Sequence, residues 1–236
     1  VGDLSAAAAR YFSIKNERFA FETKKISFIK ENYTYCIVGT LASFLNIFSQ
    51  QLPMLILPAL FGYTSLGYFS LAFSLVVIPM TLLLSPLRSL LIKEYAGGMD
   101  NEKIFNKFTL LLIPISILCV LITFFLAEPR VLVVWGDDWL ETAVYIKLIS
   151  IWAASGLINA PSFSYIISTE KQKYLLYLET LFIVIKFLIL FGTYVYNIEL
   201  LNICILIVIS GVFYNIILII FAKVKVYNEC NKKNML

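Results

Sequence analysis

The 236 residues are 60% hydrophobic and only 14% charged, with a formal net charge of +4. An ordinary soluble domain carries about 25% charged residues, and a soluble core of this size could not hide so much apolar surface. The composition therefore excludes a soluble globular domain and calls for a bilayer, where a helix crosses about 30 Å of hydrocarbon with roughly 20 apolar residues.

Residues 1–33 come first, polar and basic, with no signal-peptide hydrophobic region. The Ser5–Ala9 stretch and the spread of Phe12, Ile14, Phe19, Phe21, Ile26, Phe28 and Ile29 predict an interfacial helix followed by a linker. A chain that opens on Val1 in this way reads as the later part of a longer protein, cut within a cytoplasmic loop.

From Asn32 to Leu87 no residue is charged, a run of 56 that suffices for two crossings and a tight turn. Phe108–Ala127 is an uncharged 20-mer, Leu148–Thr169 an uncharged 22-mer and Leu200–Ala222 an uncharged 23-mer. The stretch between them, about Leu175 to Asn197, is interrupted by Glu179 and Lys186. The expected spans are 35–61, 66–92, 107–127, 141–168, 174–196 and 200–222, within a membrane region 34–223 and before a tail 224–236. Backbone in hydrocarbon must satisfy its own hydrogen bonds, and the strand pattern of a barrel is absent, so the expected fold is an all-α, six-helix bundle.

The basic residues orient it. With the N-terminus in the cytoplasm, sixteen of the 19 Lys and Arg fall on cytoplasmic segments and Arg130 alone falls outside, a strong positive-inside bias. Lys147 and Lys186 lie within spans. Both ends are then cytoplasmic, and the basic residues are topological anchors rather than a nucleic-acid surface. Cys36, Cys119, Cys204 and Cys230 have no metal spacing and predict neither a zinc site nor a disulfide framework. The sequon at Asn32 falls on the cytoplasmic side and is discounted.

Helical spacing gathers the polar residues onto faces. Gly39, Ser43, Asn46, Gln50 and Pro53 share one face of the first helix, and Ser70, Ser74, Thr81, Ser85 and Arg88 form a stripe on the second. Small and hydroxyl-bearing residues commonly serve helix packing in membranes, whereas Asn46 and Gln50 are larger and costlier there. Pro53, Pro58, Pro79, Pro86, Pro114 and Pro161 each remove a backbone donor and predict kinks.

Glu179, Lys186 and Thr193 stand seven apart on one face of the fifth helix. A charge at the bilayer centre costs about 2.5–3.5 kcal/mol on insertion scales and so faces a partner or a wet cavity. Lys186, near the middle of its span, is the foremost cavity candidate. Glu179 lies nearer the cytoplasmic end, Arg88 nearer the inner surface, and Lys147 within snorkelling reach of the outer surface.

Histidine is absent, as are a nucleophile elbow, a phosphate-binding glycine loop and a metal-ligand cluster, so neither an enzyme nor a cofactor is expected. The acidic group Asp137, Asp138 and Glu141 lies in an expected loop of about a dozen residues and suits the start of the fourth helix.

Residues 52–92 carry Leu-Pro-Met-Leu-Ile-Leu-Pro-Ala-Leu-Phe-Gly, then Leu-Gly-Tyr-Phe-Ser-Leu-Ala-Phe, then Pro79 and a Leu-Leu-Leu-Ser-Pro-Leu run. A second stretch has Val133-Val134-Trp135-Gly136-Asp137-Asp138-Trp139, Ala143, Tyr145-Ile146, Leu148, Pro161 and the turn from Ser168 to Lys173. In order and spacing these resemble the polysaccharide flippases of the multidrug/oligosaccharidyl-lipid/polysaccharide exporter superfamily, over roughly residues 30–175.

The resemblance implies one lobe, the C-terminal one, of a two-lobe exporter fold around a central cavity. It implies a bacterial inner-membrane protein that moves an undecaprenyl-pyrophosphate-linked oligosaccharide between leaflets by alternating access. The expected partners are that lipid-linked substrate, an N-terminal lobe missing from this chain, and a polysaccharide polymerase with other assembly proteins. Lys186 is then a pyrophosphate contact, with Asn46 and Gln50 facing the sugar. One position departs from the pattern: many relatives have an arginine in the second helix where Ser74 follows Ala72-Phe73, so that cavity charge is absent. Two other readings stand beside this one. A cation-coupled drug exporter of the same fold would need membrane-embedded acids, of which this chain offers Glu179. A membrane glycosyltransferase or polymerase would need a substantial outer loop or catalytic acids and histidines.

Overall fold

The computed structural model describes the backbone of residues 2–97, 100–169, 171–196 and 198–234, and the side chains of 37–97, 100–169, 171–196 and 198–228. Among the described residues the chain is all helix and turn, with no strand. The helices are α1 (Gly2–Ala96), α2 (Asn101–Trp135), α3 (Leu140–Ile158), α4 (Ala160–Ser168), α5 (Gln172–Tyr196) and α6 (Leu200–Asn234). Five helical segments are long and apolar enough to cross a membrane: Ile37–Ala96, Asn101–Trp135, Asp137–Ile158, Gln172–Tyr196 and Leu200–Asn228. The protein is a multi-pass membrane protein. Its outer surface agrees, with Phe125, Val133, Leu82 and Phe191 all exposed where lipid would cover them. The backbone of 2–36 is helix, but the side chains there, including the aromatics expected to make residues 1–33 an interfacial helix, the sequon Asn32 and Cys36, lie outside the described side chains, as does that of Cys230; Cys119 and Cys204 are free thiols.

α1 is two arms joined at Gly62. That residue has φ 82° and ψ 174°, a conformation open essentially to glycine alone, and helix resumes on its far side. The sequence places a short loop between 61 and 66; one glycine replaces it. Gly136 repeats the device at φ 85° and ψ −178°, ending α2, where its N–H reaches the Leu132 carbonyl at 3.1 Å. α2 therefore runs past the expected boundary at 127, and the expected outer loop shrinks to Gly136 and a 3-10 turn, Asp137–Trp139. At the other end of α2, Asp100 caps the helix by accepting the Glu102 N–H at 3.1 Å.

A Cβ on Gly62 or Gly136 would meet nothing within 4 Å, so alanine there tests backbone strain alone. Gly62→Ala and Gly136→Ala should each cost about 1–3 kcal/mol. Gly192→Ala, also in open space but inside α5, should be neutral or stabilise by up to about 1 kcal/mol. Thermal unfolding in detergent ranks the three, and a Gly62→Ala as stable as Gly192→Ala would contradict the strained turn.

The fourth expected span, 141–168, is broken in two. Pro161 sits in the first turn of α4 and has no N–H to give, so the helix interrupts at Asn159 and restarts. Packing then forms two apolar clusters. One gathers Leu91, Tyr95, Phe105, Tyr165, Ile166, Leu175, Leu218 and Ala222. The other gathers Leu57, Phe69, Ala72, Val131, Tyr145, Ile149, Leu190 and Ile203 around the Gly62 end of the bundle. α5 contributes Leu175 to the first and Leu190 to the second, and Glu179 and Lys186 lie between them.

Candidate functional site

The interval between the apolar clusters holds a cavity of about 400 Å³. Both arms of α1, the α3–α4 junction, α5 and α6 wall it. Five residues singled out from the sequence line it together: Asn46, Gln50, Arg88, Glu179 and Lys186. The sixth, Lys147, does not; its ammonium pairs with Glu128 on α2 and lies 6.0 Å from the Phe124 ring centre. The second-arm stripe divides in the same way. Thr81, Ser85 and Arg88 line the cavity, whereas Ser70 donates to the Gly67 carbonyl at 3.1 Å away from it.

Lys186 is buried and its Nζ donates to Ser49 twice, to Oγ at 2.9 Å and to the carbonyl oxygen at 3.1 Å. The carbonyl is available for a sequence reason. Residue 53, whose N–H would ordinarily take the Ser49 carbonyl in the helix, is proline. In a membrane such a freed acceptor must find another donor, and the lysine supplies it. An ammonium has three N–H groups, so one remains for a ligand.

Glu179, 3% exposed, accepts on Oε1 from Asn46 Nδ2 at 2.6 Å and from the Tyr214 hydroxyl. Gln50 Nε2 donates in turn to Asn46 Oδ1 at 2.8 Å, so Asn46 commits one N–H to the carboxylate and its oxygen to Gln50. Gln50, at the end of this chain of bonds, has donor and acceptor capacity left. The Arg88 guanidinium lies over the Phe163 ring at 4.3 Å, and its Nε is buried with no hydrogen-bond partner among the described residues. The Ser164 hydroxyl donates to the Arg88 carbonyl at 3.4 Å, tying α4 to the second arm of α1.

Ion pairs among the described residues are Lys147–Glu128 and the exposed Lys103–Asp100; neither cavity cation is in one. Two cations and one carboxylate leave the cavity with a net charge of +1 in their usual ionisation states. Cations held inside the membrane region with donors to spare bind anions, and a planar guanidinium with a nearby ammonium suits phosphate oxygens.

The opposite wall carries residues the sequence pattern did not single out. Asn159 Nδ2, at the α3–α4 break, donates to Asn215 Oδ1 at 2.9 Å, and Asn215 Nδ2 donates to Ser155 Oγ at 2.7 Å. Gly211, Tyr214 and Asn215 lie together in the middle of α6, and a Cβ on Gly211 would stand 2.4 Å from the Trp152 ring. The signal for them was present in α6 as Gly211, Tyr214 and Asn215 at helical spacing. Gln172 was legible too: it extends the series Glu179, Lys186, Thr193 by one more step of seven, and all four are buried.

The family profile of the polysaccharide biosynthesis proteins matches residues 6–144, more than half of the chain. No curated protein and no solved structure matches it.

Proposed function

The chain belongs to the polysaccharide biosynthesis protein family, and from that premise we propose that it is a flippase for an anionic, lipid-linked oligosaccharide. The cargo is an undecaprenyl-pyrophosphate-linked glycan, moved across the bacterial inner membrane by alternating access. Transport rather than bond-making is the role proposed, and no enzyme activity is assigned to the cavity residues. The observation that carries the reading is the cavity between two apolar clusters, where Arg88 and Lys186 stand without an ion-pair partner among the described residues. A pyrophosphate would neutralise both cations and take the donors they have to spare, while the apolar outer surface leaves a path for a lipid tail.

The finer topology belongs to the same proposal. With each arm of α1 crossing once, the chain would make six crossings, a count the turn at Gly62 supports, and the basic residues of the sequence favour a cytoplasmic position for both ends. The six crossings would form one lobe facing a second, N-terminal lobe across the cargo, with a polymerase receiving the product. The drug-exporter alternative draws on Glu179, but that carboxylate shares the cavity with two cations, which favours an anionic over a cationic cargo.

Depletion of the protein in its own host tests the reading. Lipid-linked oligosaccharide should accumulate on the cytoplasmic leaflet, protected from an externally added glycosidase, while surface polysaccharide falls. Normal surface polysaccharide with no accumulated lipid intermediate would overturn it.

A further inference from the structure

A second hollow, of about 610 Å³, adjoins the cavity and shares Asn46, Arg88, Phe163 and Glu179 with it as a common wall. Its remaining lining differs in kind. Gly39, Thr40 and Ser43 come from the first arm of α1 and Gln172 from the start of α5. Beyond the shared wall, its polar side chains are hydroxyls and an amide, with no further charge.

Two buried polar atoms on this lining lack partners among the described residues: Arg88 Nε, a donor, and Gln172 Oε1, an acceptor. Gln172 is 8% exposed, so its oxygen cannot turn to bulk water. Its position is built: a Cβ on Gly39 would lie 2.2 Å from Gln172 Oε1, so only glycine at 39 leaves room for the amide where it stands. A buried acceptor left unmade costs about 1–3 kcal/mol, which an occupant bearing a donor would recover. An occupant serving both orphans must donate at one point and accept at another. Hydroxyl groups do both.

The spacing fits a chain of such groups. Gln172 and Lys186 are fourteen residues apart on α5, about 21 Å along the axis at 1.5 Å per residue. That is longer than a pyrophosphate and leaves room for sugar rings beyond it. The Phe163 ring in the shared wall adds an apolar surface beside the polar groups.

We propose that this second hollow is a carbohydrate subsite, in which Gln172, Thr40 and Ser43 hold the hydroxyls of the sugars nearest the pyrophosphate. The proposal rests on the flippase reading, which assigns the anion to Arg88 and Lys186. Asn46 is thereby a positioning residue for Glu179, and recognition of the glycan passes to the other side of the shared wall.

The test compares two probes on the full chain in lipid nanodiscs: lipid-linked oligosaccharide extracted from the host's membranes, and undecaprenyl pyrophosphate alone. Gln172→Leu should weaken the glycan-bearing lipid about tenfold and leave the bare pyrophosphate lipid within about twofold. Equal losses for both probes, or no loss for either, would overturn the subsite. If Gln172→Leu does not yield folded protein, Thr40→Val with Ser43→Ala trims only exposed hydroxyls and is read by the same ratio. Lys186→Gln separates the two readings, because it should weaken both probes together. Should Lys186→Gln bind both as the wild type does, the anion site fails; should it alone behave as expected while Gln172→Leu shows no selectivity, the subsite fails and the anion site stands.

Discussion

Replacing both cavity cations, Arg88→Gln with Lys186→Gln, should abolish flipping while leaving the protein inserted and folded. A hydrogen bond to a charged group contributes about 1.5–3 kcal/mol, and tenfold in affinity is 1.4 kcal/mol. Each single change should therefore lower transport about ten- to hundredfold, and the double change should push it below detection. Folding should survive because neither cation is in an ion pair among the described residues. Glutamine at 186 keeps an N–H donor for the Ser49 carbonyl that Pro53 leaves free. Lys147→Gln is the matched control: it removes a charge from the same membrane region, but one paired with Glu128 away from the cavity. Surface export in a depleted host complemented by each variant, with membrane abundance checked by blot, gives the comparison. Wild-type export by the double variant would remove the cations from the mechanism.

The second large effect is steric. α6 meets α3 where Gly211 faces Trp152, and a Cβ there would stand 2.4 and 2.5 Å from two atoms of the indole ring. The ring has little freedom to yield, since it also stacks against Phe73 with centroids 6.0 Å apart. Gly211→Val should cost about 3 kcal/mol or more, at the upper end of overpacking penalties. Trp152→Leu in the same chain should recover much of that loss, because it removes the atoms the valine meets. The coupling of the pair in a double-mutant cycle of thermal unfolding is the measurement. Additive losses would show that the two residues do not press on each other. Trp152 also lines the cavity, so the doubly substituted protein should regain stability before it regains transport.

Much of this architecture could be read from composition. Runs free of charge announce membrane helices because each buried charge there is expensive, and the centres of the α1, α2 and α6 segments fall inside such runs, while α5 carries Glu179 and Lys186 near its own centre. Their ends were less legible. α2 continues beyond Ala127 through Glu128 and Arg130 to Trp135, since polar residues outside hydrocarbon do not stop a helix, and only the backbone of Gly136 does. Periodicity likewise told which face of a helix is polar without telling what stands opposite. That Lys186 and Glu179 share a face follows from their spacing. That one is held by Ser49, 137 positions away, and the other by Asn46 and Tyr214 depends on how five helical segments come together. Gln172 escaped notice for a further reason: it sits at the polar turn opening α5, where a glutamine needs no explanation until the structure shows it buried.

The four buried polar residues of α5, at steps of seven, form one strip that drifts only about 20° per step around the helix. Lys186, Glu179 and Gln172 are therefore presented to the lumen by the azimuth of a single rod, while Arg88 is held separately by α1. A roll of α5 through a quarter turn would retire ammonium, carboxylate and amide from the lumen in concert. The α5 share of the grip on phosphate and the Gln172 grip on sugar would then weaken in the same stroke, with Arg88 on α1 left to hold the anion alone.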